Sequence, residues 1–406
     1  MKIKFNIILL GIFFMQISFA QNGCTDPLAN NYDISATIND GSCTYNATSI
    51  SPTQTFNLSN TINETSGLIE WNNFLYTHND NSDINLYEIN KNDGSITQNL
   101  TLNGLSNIDW EEISQDATHI YIGDFGNNSS GNRTNLKIYK IEKTTLYTSP
   151  QIEVINFNYS NQTDFSPQSA NTTDFDCEAF VVTNSEILLF TKQWTTEQTA
   201  IYNLPKTAGT HTATLLTTLN VSGLITGATL VDQYKIIALS GYSSSINPFI
   251  YLIYDYNNTN FQNANKRKLT INLALHQIEA ISSTNGYDFF LSSESLIYLP
   301  FVNNPQKMFT FSLNNYLSDY ISNYLNIETT NISNNEIIIF PNPTKNFIEI
   351  EGKWSLYKKY KIVDVFGKTK IQGTLDNQKI ELVNIEAGIY FMQIEGNKSV
   401  FKIIKK

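Results

Sequence analysis

At 406 residues the chain is long enough for two or three domains. Only 16% of it is charged and 12% is aromatic, with 22 Tyr and 24 Phe, a profile that favours strands over helices. A formal charge of −11 argues against a nucleic-acid partner, which would need clustered Lys and Arg. That charge is uneven: residues 336–406 carry 12 Lys against 8 acids, and the rest carries 14 basic against 29 acidic residues.

The first predicted element is a signal peptide, residues 1–20. Lys2 and Lys4 precede an apolar run from Ile7 to Met15, too short to span a bilayer, and Ser18 and Ala20 supply the small residues of a cleavage site. No later apolar run reaches membrane-spanning length, so the exported chain is expected to have no transmembrane segment after cleavage. A lipoprotein reading through Cys24 is disfavoured, because "AQNGC" lacks the apolar residue expected three before the cysteine.

Residues 21–46 hold Cys24 and Cys43 in a turn-rich stretch without apolar periodicity. A disulfide between them would close a loop of about 20 residues, worth roughly 3 kcal/mol, and so small a segment could not otherwise hold a shape. The stretch resembles the short CTDPxAxNY…DGSC modules of secreted Bacteroidota proteins. Asp26, Asp33, Asn39 and Asp40 invite a calcium-loop reading, but the EF-hand spacing is absent and stapled turn formers are preferred. Cys177 is expected to be a small buried hydrophobe.

Residues 50–322 repeat a unit of four strands. "ETSGLI", "DWEEIS", "DCEAFV", "ITGATL" and "QIEAIS" open five units, and three further β-forming runs follow in order, except that the fifth unit lacks its last. "TQTFNLS" at 53–59 is expected to supply that strand and close the ring. Spacings of 45, 67, 49 and 52 residues between Ser66, Glu111, Glu178, Gly227 and Glu279 fit one blade each. The expectation is an all-β chain with a five-bladed β-propeller, or a six-bladed one if the Ser/Thr/Asn-rich excursion after residue 159 hides a degenerate unit.

In that ring Glu111, Glu178 and Glu279 begin innermost strands and point to one mouth of the central channel. Asp80, Asp124, Lys192 and Glu294 end second strands on the same face, with His78 beside Asp80. Carboxylates about 8 Å apart repel by roughly 2 kcal/mol at an effective dielectric of 20. Water, raised pKa values or a cation would relieve this, and a carboxylate set without His or Cys suits calcium before magnesium. The competing reading is that the glutamates only hydrogen-bond neighbouring blades. The S-G-L and D-x-E-A patterns over residues 53–315 resemble propellers of the SdiA-regulated and esterase-like phytase groups. That resemblance implies a calcium-stabilised propeller whose acidic mouth takes a metal-bridged anionic ligand, without implying an enzyme.

A polar linker is expected over 323–335 and a small Ig-like antiparallel sandwich over 336–406, with turns at Phe366–Gly367–Lys368 and Gly396–Asn397. Phe340, Pro341, Asn342 and Pro343, the "VDVFGK" turn, Gly388 and Tyr390 in "AGIYFMQI", and the basic end from Lys402 to Lys406 resemble the type A C-terminal sorting domain of type IX secretion substrates. The resemblance implies the type IX machinery as partner, export across the outer membrane, removal of the domain, and a product attached to the cell surface or released.

No nucleophile elbow and no phosphate-cradling loop is present, and the four histidines fall at non-equivalent positions. The favoured expectation is therefore a ligand-binding module, with a ligand of unknown identity at the mouth. The alternative is a calcium-dependent hydrolase of phosphoesters or lactones.

Overall fold

The structure, a computed structural model, describes residues 20–333, 337–351, 359–365, 367–375, 378–395 and 400–406. The predicted signal peptide lies almost wholly outside these residues, as do Phe366 and the Gly396–Asn397 turn. The chain forms two compact bodies, residues 1–319 and 320–406.

In the first body, β1 (Asn22–Gly23) and β2 (Ile38–Asn39) pair within the module closed by the Cys24–Cys43 disulfide. The module's acids are spent on turns. Asp33 and Asp40 each accept from the backbone two residues on, and Asp26 accepts from Leu28 N, Tyr45 Oη and Tyr254 Oη. Next come β3 (Thr48–Ile50) and β4 (Gln54–Asn57).

Four-stranded units follow. The first is β5 (Thr65–Trp71), β6 (Phe74–Asn79), β7 (Asn85–Asn90) and β8 (Ile96–Thr101). The second is β9 (Trp110–Gln115), β10 (His119–Asp124), β11 (Lys137–Glu142) and β12 (Ile152–Tyr159). The third is β13 (Cys177–Val182), β14 (Glu186–Thr191), β15 (Gln198–Pro205) and β16 (Gly209–Asn220). The fourth is β17 (Leu224–Val231), β18 (Ile236–Tyr242), β19 (Pro248–Tyr254) and β20 (Asn265–Ile271). The last opens with β21 (Ile278–Ser282) and β22 (Asp288–Ser293), inserts a hairpin of β23 (Leu296–Tyr298) and β24 (Val302–Asn304), and resumes with β25 (Lys307–Ser312).

Strand β4 completes this last sheet by pairing antiparallel with β25, Met308 opposite Phe56. The N-terminal strand thus covers an edge that would otherwise be open. The innermost strands β5, β9, β13, β17 and β21 pack side by side in that order, and β21 returns to β5. The arrangement is propeller-like, with its apolar core divided into layers between successive units. Tyr121, Phe125, Phe180 and Tyr202 fill the layer between the second and third, and Val181, Phe190, Leu239 and Phe249 the layer between the third and fourth.

The sequence reading missed two pairings at outer edges. β12 and β16 run parallel and fuse the second and third units into one eight-stranded sheet, and β3 adds a parallel fifth strand to β20. The excursion from 160 to 176 contains no strand. Arg267 on β20 is stacked between Tyr45 and Tyr316 and so clamps the disulfide module and the start of the following helix to the fourth unit.

The expected linker needs correction. Helix α1 (Asn314–Ser333) occupies most of 323–335, and no linker loop separates the repeats from it. Its polar sequence hides the anchor, the buried Leu313, Leu317 and Ile321 at four-residue spacing before the polar run.

The second body has two antiparallel sheets around Ile348, Ile350, Ile362, Met392 and Ile403. One sheet contains β26 (Ile338–Phe340), β27 (Phe347–Glu351) and β30 (Lys379–Glu381). The other contains β28 (Lys359–Asp364), β29 (Thr369–Thr374), β31 (Gly388–Ile394) and β32 (Val400–Lys405). Asn342 of the Pro-Asn-Pro stretch accepts from Ile404 N and donates to Lys402 O, fastening the entry of the body to its last strand. Tyr390 Oη donates to Glu386 O, and Gly388 opens β31. Among the described residues no helix is long and apolar enough to cross a membrane.

Candidate functional site

Every innermost strand carries a β-bulge near its start. The residue without an opposite number is Glu111 in β9, Glu178 in β13, Thr226 in β17 and Glu279 in β21, while β5 is irregular between Ser66 and Ile69. A bulge re-aims the extra side chain out of the ladder, and here it turns the repeated glutamates into the channel. The fourth-unit equivalent is therefore Thr226, not the Gly227 taken from the spacing. Where the glutamate is missing, a hydroxyl staples the ring: Ser66 Oγ donates to Glu111 O at 2.5 Å, and Thr226 Oγ1 to Ile278 O.

The channel opens at this end into a cavity of about 240 Å³ lined by Asp80, Asp109, Glu111, Glu178, Glu279 and Glu294, with Lys192, Trp194 and Tyr242. Lys192 is the single cation of the lining and pairs with Glu178 at 3.1 Å, its ammonium 4.6 Å from the centre of the Trp194 ring. Burial opposes its charge, but Glu178, Tyr242, Glu279 and Asp176 outweigh burial and hold its pKa above the lysine range. Glu111, 5% exposed, has no side-chain hydrogen-bond or ion-pair partner among the described residues.

Burial is the first cause that raises each of these carboxyl groups, and their mutual repulsion adds to it. Asp80 is pushed up to about 7, with Glu64 and Glu279 adding. Glu294 is pushed up to about 9, with Glu279, Asp80 and Glu64 adding. Glu279 rises to about 7 against the pull of Lys192. Asp109 rises to about 6, raised further by Asp176 and opposed by Arg133. Glu111 lies well above the usual range, with Glu178 the strongest repulsion.

Two residues expected at the mouth lie elsewhere. The backbone amides of Asp80, Phe125, Lys192 and Glu294 donate to the carbonyls of Glu64, Asp109, Asp176 and Gln277, which makes those four residues equivalent. Asp124 stands one place earlier, and alternation turns it away from the cavity. It is fully buried, accepts from Arg133 Nη2 at 2.7 Å, and lies 4.0 Å from Lys137 Nζ. His78 is also fully buried, edge-on to Trp110 of the next unit, and burial lowers its pKa to about 4. Neither can meet a ligand in the cavity.

The same set of hydrogen bonds reveals a second acidic column two residues before the first, comprising Glu64, Asp109 and Asp176. Period-two alternation puts the two columns on one face, so the repeated D-x-E spelling at 109–111 and 176–178 contained the signal. Asp176 accepts from Asn127 N and Trp194 Nε1 and so positions the indole beside Lys192. Glu64, Asp80 and Glu294 each place a carboxylate oxygen within 4.8 Å of the other two. Calcium–oxygen bonds of about 2.3–2.6 Å separate ligands across an ion by up to roughly 5 Å, so these three are close enough together to share one calcium ion.

Residues 338–406 match the family described as the secretion system C-terminal sorting domain. No curated protein sequence matches the chain. Among solved structures it is similar to PorZ, a surface component of the type IX secretion system of Porphyromonas gingivalis, at 10% identity and a TM-score of 0.30 over 84% of this chain and 45% of that one. It spans less than half of that protein. It is also similar to the RRP9 WD40 repeats, at 8% identity and a TM-score of 0.35 over 65% of this chain and 98% of that one. A chain of the mitotic checkpoint complex gives 10% identity and a TM-score of 0.34 over 64% of this chain and 94% of that one.

Proposed function

Because residues 338–406 are a secretion system C-terminal sorting domain, we propose that the chain is a type IX secretion cargo carrying a five-bladed β-propeller to the cell surface or the medium. There the acidic mouth of the channel binds a cation, calcium before magnesium, as part of a ligand-binding site. The five innermost strands in closed order support the blade number. The observation that carries the binding reading is the make-up of the cavity: six carboxyl groups, kept partly protonated by burial and by one another, face one ammonium that is already paired with Glu178, so an entering cation would take the place of protons.

Glu64, Asp80 and Glu294 would hold the ion, which would supply the positive charge the lining lacks and offer open coordination positions to a ligand. Titration of the purified chain with terbium, a luminescent calcium stand-in, is expected to give saturable binding that calcium displaces. Asp80→Asn with Glu294→Gln is expected to weaken it at least tenfold. Unchanged binding in that variant would remove the assignment. Chelator-sensitive turnover of phosphate esters or lactones would replace the binding module with the hydrolase alternative.

A further inference from the structure

The β23–β24 hairpin is not needed to close the last sheet, since β25 pairs directly with β22 and β4. Its tip exposes Ile297, Tyr298, Leu299 and Phe301 by 53%, 69%, 69% and 78%. Among the described residues no other stretch of five exposes four large apolar side chains, and such patches on exported proteins mark contact surfaces. The hairpin rises from the rim of the cavity. Glu294, two residues before its first strand, is part of the lining, and Ser295 N donates to the carbonyl of Asn63, the neighbour of Glu64. At about 3.3 Å per residue the five residues from Glu294 to the turn at Leu299 span roughly 16 Å.

We propose that the hairpin tip and the acidic cavity form one docking surface for a polypeptide that presents lysine or arginine beside aromatic or aliphatic side chains. The assignment rests on the reading that the cavity accepts positive charge. Glu111 provides an independent pointer, because it is buried at the cavity wall with no hydrogen-bond or ion-pair partner among the described residues and is not one of the Glu64, Asp80 and Glu294 trio. With an ion on that trio, Asp109, Glu111 and Glu279 still exceed the one lysine. An ammonium or guanidinium group reaching in would satisfy Glu111 while flanking apolar side chains cover Tyr298 and Phe301. An anionic lipid surface would be repelled by the same carboxylates. A sugar would stack on flat rings and gain little from the aliphatic Ile297 and Leu299.

The test uses the full chain and fluorescein-labelled octapeptides alternating lysine with phenylalanine, lysine with glycine, or glutamate with phenylalanine, read by anisotropy. The lysine–phenylalanine peptide is expected to bind at least tenfold tighter than either control. Tyr298→Ser with Phe301→Ser is expected to remove that preference while leaving terbium binding as in the parent, and Glu111→Gln with Asp109→Asn to weaken the peptide at least tenfold. Equal binding of the two lysine peptides, or undiminished preference in the tip variant, would overturn the proposal and leave the cation site standing. Tip-dependent flotation of the parent with neutral phosphatidylcholine vesicles would overturn it in favour of a membrane. Failure of the parent to bind terbium would instead sink the cation reading on which it rests.

Discussion

The two ends of the channel are built from the same strands and differ in almost nothing but side-chain charge. At one end, the starts of the inner strands surround about 240 Å³ with six carboxylates and one lysine. At the other, the ends of those strands surround about 280 Å³ mainly with neutral groups such as Ser114, Gln115, Thr183, Thr229 and Ser283, and with only two acids, Asp116 and Asp232. Between them stands Glu112, fully buried, whose oxygens accept from Ile113 N at 2.9 Å and from Ala228 N at 2.6 Å. Ala228 is on β17, two places round the ring from β9, so this carboxyl bridges the axis and separates the two cavities. Gly67, at φ +66°, lies so close that any Cβ would fall 2.5 Å from Ile113 N. The comparison teaches that a ring of repeated strands decides where side chains converge, while the charge they bring is set independently at each end.

Removing the divider should have the largest effect. Glu112→Ala orphans the amides of Ile113 and Ala228, and a loss of about 3 kcal/mol is expected in urea denaturation. Glu112→Gln, which keeps one acceptor oxygen, should lose less.

A pH series tests the acidic end next. Asp80 and Glu279, each at about 7 against ordinary values of 3.8 and 4.5, keep protons in the folded chain that the unfolded chain has released. Their contribution to stability is fully present below the unfolded values and is lost as pH rises through about 7. Two groups act in the opposite sense. Asp116, whose pKa lies below the ordinary aspartate value, does so only in more acidic solution. The buried His78, lowered to about 4 from 6.5, does so up to about pH 6.5, where the larger set of raised carboxyl groups opposes it. The urea midpoint in chelator is therefore expected to fall between pH 5.5 and pH 8, and calcium should restore it at pH 8. A midpoint that rises over this interval would contradict the protonated cavity.

The smallest effect is expected at the less acidic end. Ser114→Ala removes a 3.3 Å hydrogen bond from Val182 N, should cost about 1 kcal/mol or less, and should leave terbium titration unchanged. A loss of cation binding in that variant would mean that the two ends communicate through Glu112.

Much of this architecture was legible in the chain. The recurrence of four β-forming runs and the orphan strand at 53–59 gave the unit and its closure, because each depends on local alternation. The glutamates at 111, 178 and 279 were found by repetition. Asp124 and His78 were misplaced because a strand reverses its faces at each residue, and register was counted from the sequence without the backbone bonds that fix it. Glu64 was missed because its unit replaces the glutamate at position 66 with serine, so the D-x-E spelling is broken there. The helix over 314–333 was hidden because its buried positions, Leu317 and Ile321 after Leu313, are confined to its first half and the polar run that follows was taken for a linker.

By itself, the sequence determined the C-terminal sorting domain, the disulfide and the period of the repeat, since each rests on residues close together in the chain. Only the tertiary structure decided that Glu64, Asp80 and Glu294 share one space and that Glu112 closes the axis. Those contacts join residues up to 230 positions apart, and what brings them together is the bulge register and the closing of the ring.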